Sequence, residues 1–166
     1  MSVTLVADAG SPTANSYCTD TEALAYHDKR YLNSVWSDAE KPDREKVLMW
    51  ATRLLDQQEW KGMKTNYLSG SLRWPRNGCV DRDKKLIDGS VVPQFMKDAC
   101  AEWAFYLLTE DRTLDEGGLV QYGGKVGPIT DPHAYARKSM PDGVREMVSP
   151  YLSSGNIASG GRISRL

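Results

Sequence analysis

The 166-residue chain is 40% apolar and 26% charged, with a formal net charge of −1. Those are ordinary globular values, enough for one domain with a real core and extended appendages. They exclude a global electrostatic bias toward nucleic acid or anionic lipid. Three scattered cysteines, Cys18, Cys79 and Cys100, form no Cys-x-x-Cys pair and predict free thiols in a reducing compartment. With no basic leader and too short an apolar run at Val3–Ala7 for a signal core, a cytoplasmic product is expected.

In chain order, Ser2–Ala7 alternates weakly and reads as a short strand or arm, followed by a turn-rich linker over Gly10–Ser16. Thr19-x-x-Glu22 predicts a capping box opening a helix from Asp20 to about Tyr31. Ser37-x-x-Glu40 predicts a second box, with Pro42 near a helix start. In the helix that follows, Val47, Leu48, Ala51, Leu54 and Leu55 make one apolar stripe. Between Trp60 and Val92 the pattern changes to turn chemistry, with a small hairpin over Cys79–Ile87 whose tip is Asp81–Asp83.

The stretch Pro93–Leu108 organises the rest. After Asp98 its only polar side chain is Glu102, so the helix it predicts is apolar nearly all round and needs cover on every side. It is too short, and too polar at its start, to span a membrane. Asp115–Pro128 is glycine-rich and predicts a loop, with an extended segment at Val126–Ile129. Ser139-x-x-Asp142 opens a last helix that Pro150 should end or kink near Ser149. The fold class is therefore mainly α: a small bundle of about four helices around a central buried helix, with long loops, a small β-hairpin and an extended C-terminal arm. Residues 1–154 form the domain and 155–166 the arm.

Catalytic signals are thin. His27 sits on the first helix and reads as packed or exposed. Asp131-Pro-His133 offers an acid–imidazole pair without a nucleophile, and no ligand spacing suggests a metal. Gly123–Gly127 lacks the Gly-Lys-Ser/Thr ending of a phosphate loop. No catalytic residue, cofactor or metal is expected. From Trp60 to Ser90 seven bases face three acids, and Trp60, Tyr67 and Trp74 interleave with Lys61, Lys64, Arg73 and Arg76. Those are the residue types that stack bases and neutralise phosphates. The preferred reading is that both tryptophans cap the core with the cations around their edges, because the charge excess is small.

Several motifs together resemble a tailed-phage family. They are Ser2-Val-Thr-Leu-Val, Ala14-Asn-Ser-Tyr17, Ala51–Asp56 followed by Trp60-Lys-Gly62, and Leu72-Arg-Trp-Pro-Arg-Asn-Gly78. Val92-Pro-Gln with Lys97-Asp-Ala99, Lys125-Val-Gly-Pro128 and Val148-Ser-Pro-Tyr-Leu152 complete the set over residues 1–154. The family carries the label of a DnaT-like single-stranded-DNA-binding domain, and its members resemble head–tail connector proteins.

The resemblance implies a non-enzymatic virion protein at the head–tail junction, assembled in host cytoplasm. It would form a ring, a dodecamer, beneath the portal protein and offer a platform to a stopper, nozzle or other tail component. Genomic DNA would pass the channel without sequence-specific contact, and no membrane is involved. By analogy the C-terminal arm would dock on the portal through Asn156, Ile157, Arg162, Ile163, Arg165 and Leu166. The alternative is a single-stranded-DNA-binding module acting in replication, with Trp60, Lys61, Lys64, Arg73, Trp74 and Arg76 as its face.

Overall fold

The structure, a computed structural model, describes residues 4–32, 34–109 and 140–153. In chain order these form α1 (Asp20–His27), α2 (Ser34–Ser37), α3 (Lys41–Asp56), β1 (Met63–Lys64), β2 (Arg76–Asn77), α4 (Gln94–Thr109) and α5 (Asp142–Val148). A 3₁₀ turn over Ser149–Tyr151 follows α5. The protein is mainly helical. Among the described residues five α-helices and one two-stranded sheet make a small bundle, and α4 touches each of the other four helices.

Helix α4 can be covered so closely because Ala99, Cys100, Ala101 and Ala104 are small, and all four are buried. Met96 and Trp103 fill the space between them and their neighbours. The expected stripe on α3 is its main partner: Leu48, Ala51, Leu54 and Leu55 are buried and Val47 is partly so. The one buried acid of α4, Glu102, is neutralised from α1 and the turn that follows it. Tyr26 Oη donates to its carboxylate at 3.1 Å, and the Arg30 guanidinium pairs with the same oxygen while lying 4.4 Å over the Phe105 ring. Lys97 binds Glu22 at 2.6 Å along the same seam.

The first capping box forms as expected. Thr19 Oγ1 accepts the Glu22 N–H and Glu22 Oε2 accepts the Thr19 N–H. Helix α1 nevertheless stops at His27, short of the expected Tyr31. Tyr31 and Leu32 are 98% and 74% exposed, so further helical turns would bury nothing, and the chain instead tightens to bring Arg30 to Glu102.

The second box does not form. Ser37 ends α2, with its Oγ bonded to the Ser34 carbonyl, and Glu40 precedes α3 without a side-chain cap. Burial of Trp36 against His27, ring centroids 4.5 Å apart, draws this segment into its own helical turn. Arg44 then locks α3 to α1 through both oxygens of Asp20, at 2.7 and 3.0 Å.

The N-terminal arm pairs with no strand among the described residues. The Asn15 side chain stands in for one, accepting the Val6 N–H at 2.8 Å and donating to the Thr4 carbonyl at 2.9 Å. The hairpin at Cys79–Ile87 is present as a Val80–Leu86 bridge, with Lys84 at φ 63° in its tip. Pro150 ends α5 as the sequence predicts. The Asp115–Pro128 loop, the Val126–Ile129 segment, His133 and the 155–166 arm lie outside the described residues.

Two outcomes follow from this packing. Leu55, fully buried between α3 and α4, should lose about 2–5 kcal/mol of stability on truncation to alanine, read by urea unfolding. His27 is packed among Tyr26, Trp36 and Phe105, with Nε2–H donating to the Ala101 carbonyl at 3.1 Å. Burial holds it below its ordinary 6.5 as a neutral ring. The unfolded chain therefore takes up a proton that the folded chain refuses, and stability should fall as pH drops through about 6.5. His27→Gln should flatten the slope of unfolding free energy between about pH 7.5 and 5.

Candidate nucleic-acid interface

Between α3 and α4 the chain has no long element of its own, and its shape is set by two short strands and one arginine. Gly62, at φ +72°, lets the chain turn out of Trp60-Lys61. A Cβ there would meet the Asn77 carbonyl oxygen at 2.3 Å, so only glycine fits. β1 then pairs antiparallel with β2 in the register Met63–Asn77 and Lys64–Arg76. The sheet was not foreseen because two-residue strands carry no alternation to detect.

Arg76 is the clamp. Its Nε donates to the Lys61 carbonyl at 2.8 Å, Nη2 to those of Gly62 at 2.6 Å and Trp60 at 3.3 Å, and Nη1 to that of Arg73 at 3.2 Å. These four carbonyls belong to both sides of the excursion that β1 and β2 enclose. Its donors are committed to the backbone, which leaves Arg76 a source of positive field rather than a hand for ligand. Lys61 is likewise engaged, donating to the Pro150 carbonyl at 2.8 Å.

The two tryptophans do not face solvent. Trp60 is 5% exposed and Trp74 1%. Trp74 packs edge-on against Trp60 at 5.7 Å and Phe95 at 5.4 Å, and Trp60 Nε1 donates to the Leu55 carbonyl. Their removal from the stacking face is a correction to the alternative face predicted from sequence. They are the largest apolar groups available to close the end of the α3–α4 seam, and burial of their area outweighs exposure for a ligand.

What does face outward is Tyr67, 82% exposed, with Leu68 at 95% and Met63 at 75%. Tyr67 borders an open concavity of about 730 Å³ that is also lined by Met63, Lys64, Arg73, Arg76 and Asp56. Lys64 Nζ reaches the Gly70 carbonyl across the excursion. Ser71 ties that excursion to the N-terminal linker by donating to the carbonyls of Ser11 and Ala14. The Arg73 guanidinium has no hydrogen bond or ion pair among the described residues; only its backbone is used, the N–H toward Asp56 at 3.3 Å and the carbonyl by Arg76.

Three cations thus surround one acid. Asp56 accepts a hydrogen bond from the buried Tyr17 hydroxyl, and burial raises its carboxyl above the usual value against the pull of that bond and of Arg73. Burial and then the Asp56 charge raise Tyr17 as well, so the shared proton stays on the phenol. The acid and the three cations line the same concavity. Asp56 and Met63 were missed as lining residues, and only the positive-φ turn at Gly62 shows why they meet there.

A family model described as "Putative DnaT-like ssDNA binding protein" matches residues 3–166, and the chain belongs to that family. No curated protein and no solved structure matches it. The family description overturns the expectation of a head–tail connector, and with it the virion and adaptor reading, in favour of the DNA-binding alternative. The six residues assigned to a portal-binding arm, Asn156, Ile157, Arg162, Ile163, Arg165 and Leu166, lie outside the described residues.

Because Trp74 is core, Trp74→Ala should act on folding before it acts on any ligand. A loss of about 3–5 kcal/mol is expected, as for other buried large aromatics, seen as a lowered midpoint in thermal or urea unfolding.

Proposed function

We propose that this member of the DnaT-like family binds single-stranded nucleic acid across the concavity beside β1 and β2, as a module with no chemistry of its own. One observation supports the reading: an exposed tyrosine and an arginine whose guanidinium is unpaired among the described residues border the same opening. An aromatic ring beside cations suits unpaired bases, whose faces are free to stack while their phosphates meet charge. Bases in a duplex are stacked on each other and offer no such face.

In this reading Tyr67 stacks one base, with Met63 and Leu68 giving apolar contact beside it. Arg73 and Lys64 meet the flanking phosphates. Arg76 adds field from behind while holding the excursion in shape. Each stacked base is worth about 1–3 kcal/mol by alanine substitution. With a net charge of −1 on the whole chain, the attraction is local, and few phosphates are neutralised. The salt slope should be shallow, roughly −1.5 to −2 in log–log form for two or three phosphates on a single strand.

Fluorescence anisotropy with a labelled oligodeoxynucleotide at several salt concentrations tests this. Binding that weakens with salt is expected, with a loss of roughly 5- to 150-fold for Tyr67→Ala and a shallower salt slope for Arg73→Ala. Affinity unchanged in both variants, or no binding by the folded wild type, would refute the assignment.

A further inference from the structure

Tyr67 and Leu68 sit on a tip that buries neither of them, so apolar burial is not what holds it in shape. The tip runs from Asn66 to Gly70 and is closed by the Gly70 N–H on the Asn66 carbonyl at 2.9 Å. On the β1 side its foot is fixed by the Thr65 N–H on the Pro75 carbonyl at 3.0 Å. The other foot rests on chain 60 positions earlier. The Ser71 N–H donates to the Ser11 carbonyl at 3.1 Å, and the Ser71 hydroxyl donates to the carbonyls of Ser11 and Ala14.

Gly10 gives this seam its shape. It is the third residue of a turn closed by the Ser11 N–H on the Asp8 carbonyl at 3.2 Å. Its φ of +72° is one that a β-branched residue adopts only under strain. The Asn66 side chain fills the place a Cβ at Gly10 would take, and the Gly10 carbonyl oxygen lies 3.4 Å from where a Cβ on Gly70 would stand. The linker is fixed to the bundle in turn. The Asn15 and Ser16 N–H groups share the Val6 carbonyl at 2.9 and 3.1 Å, and the Tyr17 N–H donates to Thr52 Oγ1 on α3 at 3.1 Å. The tip therefore hangs from α3 through the linker as well as through β1 and β2.

We infer that the Gly10 turn and the Ser71 hydroxyl are positioning elements of the interface: the N-terminal linker holds the Tyr67 tip in shape before ligand arrives. The inference rests on the reading of Tyr67 as the stacking residue. A loop already ordered loses less freedom on binding, and a loosened one binds more weakly without losing any ligand contact. Ser71 lines the concavity and Gly10 does not, so a change at Gly10 reaches ligand only through the tip.

Gly10→Val and Ser71→Ala break the seam from its two sides. Hydrogen exchange of the free full chain reads the tip directly. Exchange at the Gly70 and Ser71 amides should quicken in both variants, while amides of α3 and α4 keep their wild-type rates. Anisotropy with the labelled oligodeoxynucleotide should show a loss of roughly 2- to 12-fold in each variant. Neither change should weaken binding further when added to Tyr67→Ala, because the ring it positions is gone. Unaltered exchange at Gly70 and Ser71 in both variants would overturn the inference whatever the oligonucleotide does. Wild-type affinity in a variant whose tip exchanges faster would overturn it too, as would an equal loss in the Tyr67→Ala background. If the folded wild type binds no oligonucleotide, the reading of the site fails, and faster tip exchange in the variants still supports the linker as what holds Tyr67.

Discussion

A helix with almost no wet side must be enclosed, and the enclosure of α4 governs the rest of the molecule. Four small residues, Ala99, Cys100, Ala101 and Ala104, let the surrounding backbones approach, while Met96 and Trp103 supply bulk. The cost of that solution falls on Glu102, a carboxylate 6% exposed in a helix otherwise given over to apolar groups. Left alone it would be destabilising by several kcal/mol. Tyr26 and Arg30 answer it, and in doing so fix where α1 ends and how it lies on α4.

The same demand for cover determines which aromatic residues remain for a ligand. Trp60 and Trp74 are drawn inward to seal the lower end of the α3–α4 seam, and Phe95 joins them. That leaves the excursion between β1 and β2, too short to bury its own apolar groups, to carry Tyr67, Leu68 and Met63 outside. A cluster of exposed apolar side chains beside cations on a shape-holding scaffold is the usual mark of a surface meant for contact. Arg76 holds the scaffold by spending its donors on four carbonyls, while the Arg73 guanidinium is unpaired among the described residues.

Periodicity carried the long elements. The stripe on α3, the girdle of α4, the capping box at Thr19 and the stop at Pro150 are all local signals, and each appears where the sequence places it. What could not be read are features decided at a distance. The fate of Ser37 depended on Trp36 finding His27, and the limit of α1 on Arg30 finding Glu102, a residue 72 positions away. The interface is the same case. Basic and aromatic residues marked the right stretch, and the preferred reading of Trp60 and Trp74 as caps of the core agrees with their burial. That Tyr67 is the ring left outside depends on Trp74 meeting Phe95 on another element. The connector reading failed for a different reason: it rested on likeness, and no residue in the described structure bears on it.

The C-terminal end of the described chain returns to the exit of α3. Trp60 bridges Leu152, the Lys61 N–H donates to the Tyr151 carbonyl at 2.9 Å, and the Ser153 N–H to that of Glu59 at 2.9 Å. These bonds grip the three residues that lead directly into Gly62 and β1. Tension applied to the chain at Ser153 would therefore load the strand that carries the interface as well as the helix behind it. The molecule has, in effect, a handle wired to its working surface.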